Sequence, residues 1–302
     1  RWTAATPPST ARNRLISLAL RPAPVTDQWI SEGPKLGDLE DATRSMTLIE
    51  AASPRQEALA IALCLREAIE QGEPACLVSP NRDLTRRVAA ALDRWGLRPD
   101  DSAGIPLAQT APGRLLRLTA QAMGKALSAD QLLILLKHPL THSGSDRGPH
   151  LLLTRDLELD LRQNGPPFPD AALLRQWAAS SRREGAAIWG EAIADVLMQL
   201  RLAGKARLGD LVRLHVALTE ALARGPSTGS PAGALWDMDA GEAARAAMAE
   251  LAQEAPEALV LSTDDYAQMV AAILARGEVR SSVLTDTRIE ILGTQEARTI
   301  GA

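Results

Sequence analysis

Apolar positions recur along this chain at two different periods, and the change of period divides it. Ala58, Ile61, Ala62, Leu65 and Ile69 fall at i, i+3, i+4, i+7 and i+11, one face of a helix that Gly72 brings to an end. Ahead of them Ser53-Pro54-Arg55-Gln56 has the form of a capping box, with Ser53 as N-cap and Pro54 at the first helical position. Short apolar runs of strand length flank this helix, Thr47–Ala51 before it and Ala75–Ser79 after it. A second helix is expected to start after Asn81, to bury Leu84, Val88, Leu92 and Trp95 on one stripe, and to stop at Gly96. Strand, helix, strand, helix with such short apolar strands predicts βαβ units and a parallel sheet.

Beyond Pro112 the strand period vanishes. Up to Arg276 the periodic segments read as helices: Leu115–Leu127, Asp130–Lys137, Leu151–Arg162, Ala171–Arg182, Ala187–Leu202, Leu208–Ala223, Gly241–Glu254 and Asp265–Ala275. Pro and Gly separate them at Gly144–Pro149, Gly165–Pro167 and Gly225–Pro231, the last reading as a mobile loop. A strand then returns at Arg288–Gly293, with Ile289–Leu292 expected beside strands near Leu48 and Leu77. The pattern predicts an α/β chain, predominantly helical overall, in which a large all-helical insertion interrupts a parallel sheet. Its divisions are a lead-in at 1–45 (with a short helix at Arg12–Leu20), the first part of the α/β domain at 46–110, the insertion at 111–276 and the return at 277–302. The first residue is Arg1 rather than Met, and nine residues follow the last strand, which predicts a piece of a longer chain.

Composition narrows the function classes. The 302 residues carry 33 Lys and Arg against 37 Asp and Glu, a net charge of −4, so overall charge does not drive nucleic-acid binding although a local basic strip still can. Two cysteines, Cys64 and Cys76, are too few for a disulfide framework or a Cys-based metal site, and read as small core hydrophobes in a reducing compartment. No run is long and apolar enough for a membrane span or a signal segment, which predicts a soluble, cytoplasmic protein without a membrane partner. Gly124-Lys125 and Gly204-Lys205 lack the upstream glycine of a phosphate-binding loop, and no dinucleotide fingerprint occurs. His138 and His142 have zinc-ligand spacing, but Pro139 between them reads as a helix-ending turn. Asp100-Asp101 reads as a solvated turn, and His150 and His215 as ordinary helix residues. Nucleophile elbows and Cys–His pairs are missing, so no catalytic residue is assigned. Most of the six Trp residues read as core anchors. One basic strip remains. Arg82 to Arg98 holds five Arg against Asp83 and Asp93, and Arg87 and Arg94 lie seven apart on one flank of the apolar stripe. It suits either phosphate contacts or a solvated helix face.

The run Leu48–Leu107, "LIEAASPRQEALAIALCLREAIEQGEPACLVSPNRDLTRRVAAALDRWGLRPDDSAGIPL", resembles AddB-type subunits of the bacterial AddAB helicase–nucleases. Four further islands agree in order: "LALRPAPVTDQW" (Leu18–Trp29), "LLKHPL" (Leu135–Leu140), "DYAQMVAAILARGEVR" (Asp265–Arg280) and "IEILGTQEAR" (Ile289–Arg298). The resemblance implies a RecA-like fold, the second motor domain of a superfamily 1 helicase-like half, interrupted by a helical insertion. It implies that the turn after Ser79 carries an Arg, here Arg82, and that Thr294, Glu296 and Arg298 occupy a helicase-motif turn. Active motors place a Lys-Gly-type pair where this chain has Glu296-Ala297-Arg298, and Gln295 replaces an apolar residue.

In function, the resemblance implies a non-catalytic scaffold in double-strand break repair and homologous recombination, guiding DNA beside an AddA helicase–nuclease partner. DNA contacts are expected at Arg82, Arg87 and Arg94. The family's ATP site lies on the partner motor, and its iron–sulfur cluster and Mg²⁺ lie in a nuclease domain outside this sequence, so no cofactor is expected here. Two other readings stand beside it: part of an active ATP-dependent superfamily 1 helicase, and an unrelated α/β enzyme with a helical cap.

Overall fold

The computed structural model describes residues 9–37, 39–144, 147–226, 231–255, 259–280 and 286–299. The chain is a predominantly helical α/β protein with one small three-stranded parallel sheet. It divides into two compact units, residues 1–64 and 65–302.

The first unit holds α1 (Thr10–Ala19), α2 (Asp27–Glu32), α3 (Leu39–Thr43) and the start of α4 (Pro54–Glu70). Ser9 caps α1 by accepting from the Arg12 N–H at 3.2 Å, and Arg12 Nε reaches the Ala42 carbonyl at 3.1 Å. Half of the expected capping box is present: Ser53 Oγ accepts from the Gln56 N–H at 3.3 Å. The strand expected at Thr47–Ala51 does not form. That segment takes no regular structure, and Leu48 is 85% exposed. An apolar alternation makes a strand only where a neighbouring strand satisfies its backbone groups, and none among the described residues does so here.

In the second unit α4 ends, β1 (Ala75–Val78) follows, and then α5 (Arg82–Asp93), β2 (Pro99–Asp101) and β3 (Ile105–Pro106). Eight helices come next: α6 (Ala111–Ala122), α7 (Ala129–Lys137), α8 (Arg147–Asn164), α9 (Ala171–Ser180), α10 (Ala186–Leu202), α11 (Leu208–Arg224), α12 (Met238–Gln253) and α13 (Thr263–Arg276). The two-residue strands β4 (Ala206–Arg207) and β5 (Val260–Leu261) pair with each other inside this block. The chain returns through β6 (Glu278–Val279) to β7 (Asp286–Leu292) and α14 (Glu296–Thr299).

Sheet order is β1-β7-β2, all parallel, with Ala75 opposite Ile289 and Asp101 opposite Ile291. Ile289–Leu292 thus lies beside the Leu77 strand as expected, but its other neighbour is Pro99–Asp101, not the Leu48 segment. The chain leaves and re-enters the sheet side by side, because β3 pairs antiparallel with β6. Gly104 (φ +65) sits at this clasp, where a Cβ would meet the Val279 carbonyl oxygen at 2.5 Å.

Local chemistry explains the helix starts. Asn81 Oδ1 accepts from the Asp83 and Leu84 N–H groups at 3.0 and 3.2 Å, Asp170 caps α9, and Ser128 with Gln131 forms a complete capping box on α7. One continuous core runs from Leu107 to Val279 through all eight helices. Val88, Leu92, Ile289 and Ile291 are fully buried around the sheet. Both cysteines are exposed, contrary to the core role expected of them. The buried stripe of α4 is Ala58, Ala62, Leu65 and Ile69, which turns Cys64 outward, and alternation along β1 turns Cys76 away from the half-buried Ala75 and Leu77. Of the Trp residues expected in the core, Trp189 is buried, Trp95, Trp177 and Trp236 are half-buried, and Trp29 is exposed. The loop expected at Gly225–Pro231 lies mostly outside the described residues.

Candidate nucleic-acid interface at the carboxyl edge of the sheet

Ligands of open parallel sheets bind beyond the carboxyl ends of the strands, and two expected site elements, Arg82 and the Thr294–Arg298 turn, lie there. After β1, the Ser79 N–H donates to the Leu292 carbonyl at 3.0 Å and Ser79 Oγ accepts from the Asn81 N–H at 3.1 Å, which sets the cap of α5. After β2, the Ser102 N–H donates to the Ile291 carbonyl at 3.0 Å. Arg82 bridges the two exits: its Nη1 is 3.1 Å from Asp101 Oδ1, which also accepts from the Ala103 N–H at 3.0 Å. After β7, the chain turns through Gly293-Thr294-Gln295 into α14. The Glu296 carboxylate folds back over Gly293, where a Cβ would overlap it, and the Ala297 N–H donates to the Gly293 carbonyl at 3.0 Å. Thr294 and Arg298 are exposed at this turn, and Glu296 is half-buried.

The basic strip is largely self-neutralised. Arg82 is held by Asp101, Arg86 by Asp83 and Gln109 Oε1 (2.9 Å to the latter), and Arg98 by Asp93 at 3.6 Å. Arg87 and Arg94 are exposed and hold no ion pair among the described residues. At about 100° per residue, Arg87 and Arg94 project within about 20° of each other, while Arg82 points about 140° away from Arg87. The three expected DNA contacts are therefore not one cluster. Arg82 belongs to the sheet edge together with the Thr294–Arg298 turn, and Arg87 with Arg94 forms a separate outward pair.

A groove of about 530 Å³ opens between α5, β2 and the β3–β6 clasp. Arg86, Arg98 and Arg280 stand around it, and Leu97, Ile105 and Val279 are among its apolar lining. Arg280 was not legible as a site residue, because only the β3–β6 pairing carries it across to α5.

Neither Gly-Lys pair with an expected helical setting cradles a ligand loop. The Gly124 N–H donates to the Leu200 carbonyl at 2.7 Å and Lys125 pairs with Asp264 at 2.8 Å, while Gly204 follows the end of α10. The Asp100-Asp101 pair is part of β2 rather than a free turn. No group of three His, Cys, Asp or Glu residues suited to a metal ion occurs among the described residues. His138 caps the end of α7, as the reading of Pro139 as a helix stop anticipated. His150 and His215 are more than ordinary helix residues. Each is buried and joins three helices. His215 Nε2 donates to the Leu116 carbonyl at 2.8 Å and Nδ1 accepts from the Tyr266 hydroxyl at 2.8 Å; burial pushes its pKa down to about 4. His150 Nε2 likewise reaches the Leu136 carbonyl at 2.7 Å while Nδ1 accepts from Trp189 Nε1 at 2.9 Å. The signal was in the sequence: His215 lies on the same stripe as Leu208, Leu211, Leu218 and Leu222.

No protein-family model, curated protein or solved structure matches the chain. Among the described residues no helix is long and apolar enough to cross a membrane.

Proposed function

We propose that this chain is a non-catalytic, helicase-like scaffold that guides DNA beside a partner motor, as in AddAB-type double-strand break repair. In this reading residues 46–110 and 277–302 belong to one RecA-like second motor domain, and residues 111–276 are its helical insertion. The observation that carries it is the path of the chain: it leaves the sheet after β2, builds eight helices, and returns to insert β7 between β1 and β2. Two of the stretches that resemble AddB-type subunits, Leu48–Leu107 and Ile289–Arg298, carry these strands and the turns after them, while the other three fall on α1–α2, on the end of α7, and on α13 with β6. DNA would run along the outer face of α5, where Arg87 and Arg94 are unpaired among the described residues; ATP chemistry would sit on the partner motor, and metal chemistry in nuclease domains outside this sequence.

The test is fluorescence anisotropy with labelled single-stranded and duplex DNA over a salt series. Binding is expected to be weak and salt-sensitive. Each phosphate contact adds about 0.9 to the slope of log K against log salt on duplex, so Arg87→Glu with Arg94→Glu is expected to lower that slope by about two. Binding that is tight, survives high salt and ignores both changes would refute the DNA-guiding role of α5.

A further inference from the structure

The segment 138–144 that follows α7 is held from two sides. Arg147 stitches it from inside, with Nε on the Thr141 carbonyl at 3.1 Å and Nη2 on the Lys137 and His138 carbonyls at 3.1 and 2.7 Å. Thr141 Oγ1 donates to the Leu135 carbonyl at 2.6 Å. The turn then fastens to the end of α11: the His142 N–H donates to the Leu222 carbonyl at 2.9 Å and the Gly144 N–H to the Ala223 carbonyl at 3.2 Å.

His142 sits at the centre of this fastening in a costly conformation. Its φ is +55°, a left-handed value unusual for a residue with a Cβ, and its side chain is wedged against Gly225, where a Cβ would lie 2.6 Å from the ring. The ring stacks on His150 with centroids 4.1 Å apart. His142 is 2% exposed and His138 6%, and the Nε2 atom of each is buried without a hydrogen-bond partner among the described residues. His150 cannot share a proton with either. The Trp189 indole is a donor only, so a second proton on His150 would set two N–H groups against each other.

We propose that residues 138–144 form an acid-operated latch, in which proton uptake by His142 releases this segment from the end of α11 while the remaining helices stay packed. Among the described residues, the charged side chains around the ring favour this outcome. Arg114 of α6 acts on His138, Arg147 of α8 acts on all three imidazoles, and Arg224 ends α11 beside the turn, all of them cations. The carboxylate of Glu158 on α8 is taken up by Lys137 and Arg162 at the surface. Burial pushes His142 down to about 3 and His138 to about 4, and lowers His150 as well. A closed-state pKa below the free value of 6.5 means that the latch is fully held above pH 6.5 and weakens as pH falls through the window below it. At pH 5 each released histidine raises the opening constant about 30-fold.

The test is amide hydrogen exchange, read by mass spectrometry on the 302-residue chain at pH 7 and pH 5 and expressed as protection factors. Peptides covering 138–144 and 221–226 are expected to lose about 30-fold in protection between pH 7 and pH 5, and to be less protected at pH 5 than those of α9 and α13. His142→Phe, which keeps the ring shape, and His142→Asn, which adopts left-handed backbone easily, are each expected to abolish that loss. If one variant fails to fold, the other carries the result. Undiminished protection of the segment at pH 5, protection there equal to that of α9 and α13, or the same loss in a folded variant would each overturn the latch.

Discussion

Replacing Tyr266 by Phe removes one oxygen atom from the interior and tests the three-helix junction directly. The phenol and the His215 ring have no solvent exposure, and their edge-to-face rings lie 5.5 Å apart, so the Phe ring keeps its packing. What is lost is the 2.8 Å hydrogen bond to His215 Nδ1. The net value of such a bond is about 1 kcal/mol, but removing only the donor, so that a buried acceptor is left without one, costs about 1–3 kcal/mol. We expect a cost near 2 kcal/mol, a roughly 30-fold fall in the ratio of folded to unfolded chain. Urea titration at pH 7.5, followed by circular dichroism, measures this as a lower midpoint at unchanged slope. His215→Phe is expected to cost more, since it strands both the Leu116 carbonyl and the Tyr266 hydroxyl. The double variant strands only the carbonyl, which predicts a coupling of about 1–2 kcal/mol between the two sites. A Tyr266→Phe protein within about 0.5 kcal/mol of the parent, at equal slope, would show that the junction is held by packing alone and refute the assignment of the bond.

Three further outcomes are expected. The folded-state pKa of His215, about 4 against an unfolded 6.5, makes its contribution complete above pH 6.5 and lost as pH falls toward 4, about 2 kcal/mol by pH 5; urea midpoints of His215→Gln are therefore expected to fall less steeply with acid than those of the parent, and parallel curves would contradict this. Gly190→Val is expected to force α10 away from α9, because a Cβ there would overlap the Ala178 Cβ, and to lower stability by about 1–3 kcal/mol or more in thermal unfolding, whereas a neutral result would place the two helices further apart than described. Calorimetric titration with ATP and Mg²⁺ is expected to give no saturable heat into the low millimolar range, since Lys125 and Arg82 are spent on Asp264 and Asp101; a micromolar dissociation constant would end the scaffold reading.

Helices were legible because their signals are local. Asn81, Ser128 and Asp170 cap the helices they precede, and the stripe of α5 buries Val88 and Leu92 with Leu84 and Trp95 half-buried. Strands were legible only where long-range pairing rewards the apolar run. Leu48 and Ile49 have the stronger strand pattern yet stay exposed, while Pro99-Asp100-Asp101, which reads as a turn, becomes a sheet edge by lying against β7. The same reason hid Arg280, which only the β3–β6 pairing brings to α5. Charge was legible as a sum but not as a field: five Arg in the strip reduce to two without an ion pair among the described residues, once Asp101, Asp83 and Asp93 take their partners. His138 was read correctly as a helix stop from Pro139. The buried roles of His150 and His215 depend on the partners Trp189 and Tyr266, which lie 39 and 51 residues away.

The position of β7 constrains how the protein is made. β1 and β2 are synthesised early but are not neighbours in the sheet; among the described strands each pairs only with β7, and Ala75 waits for Ile289, more than two hundred residues downstream. During translation both strands must remain unpaired while the whole helical block emerges, and that block can complete its own core once Val279 is out. Assembly of the sheet is thus deferred to its last-made strand and is all-or-none. A ribosome stalled before β7 would release a folded set of helices carrying two bare strand edges, the kind of surface on which chaperones and proteases act.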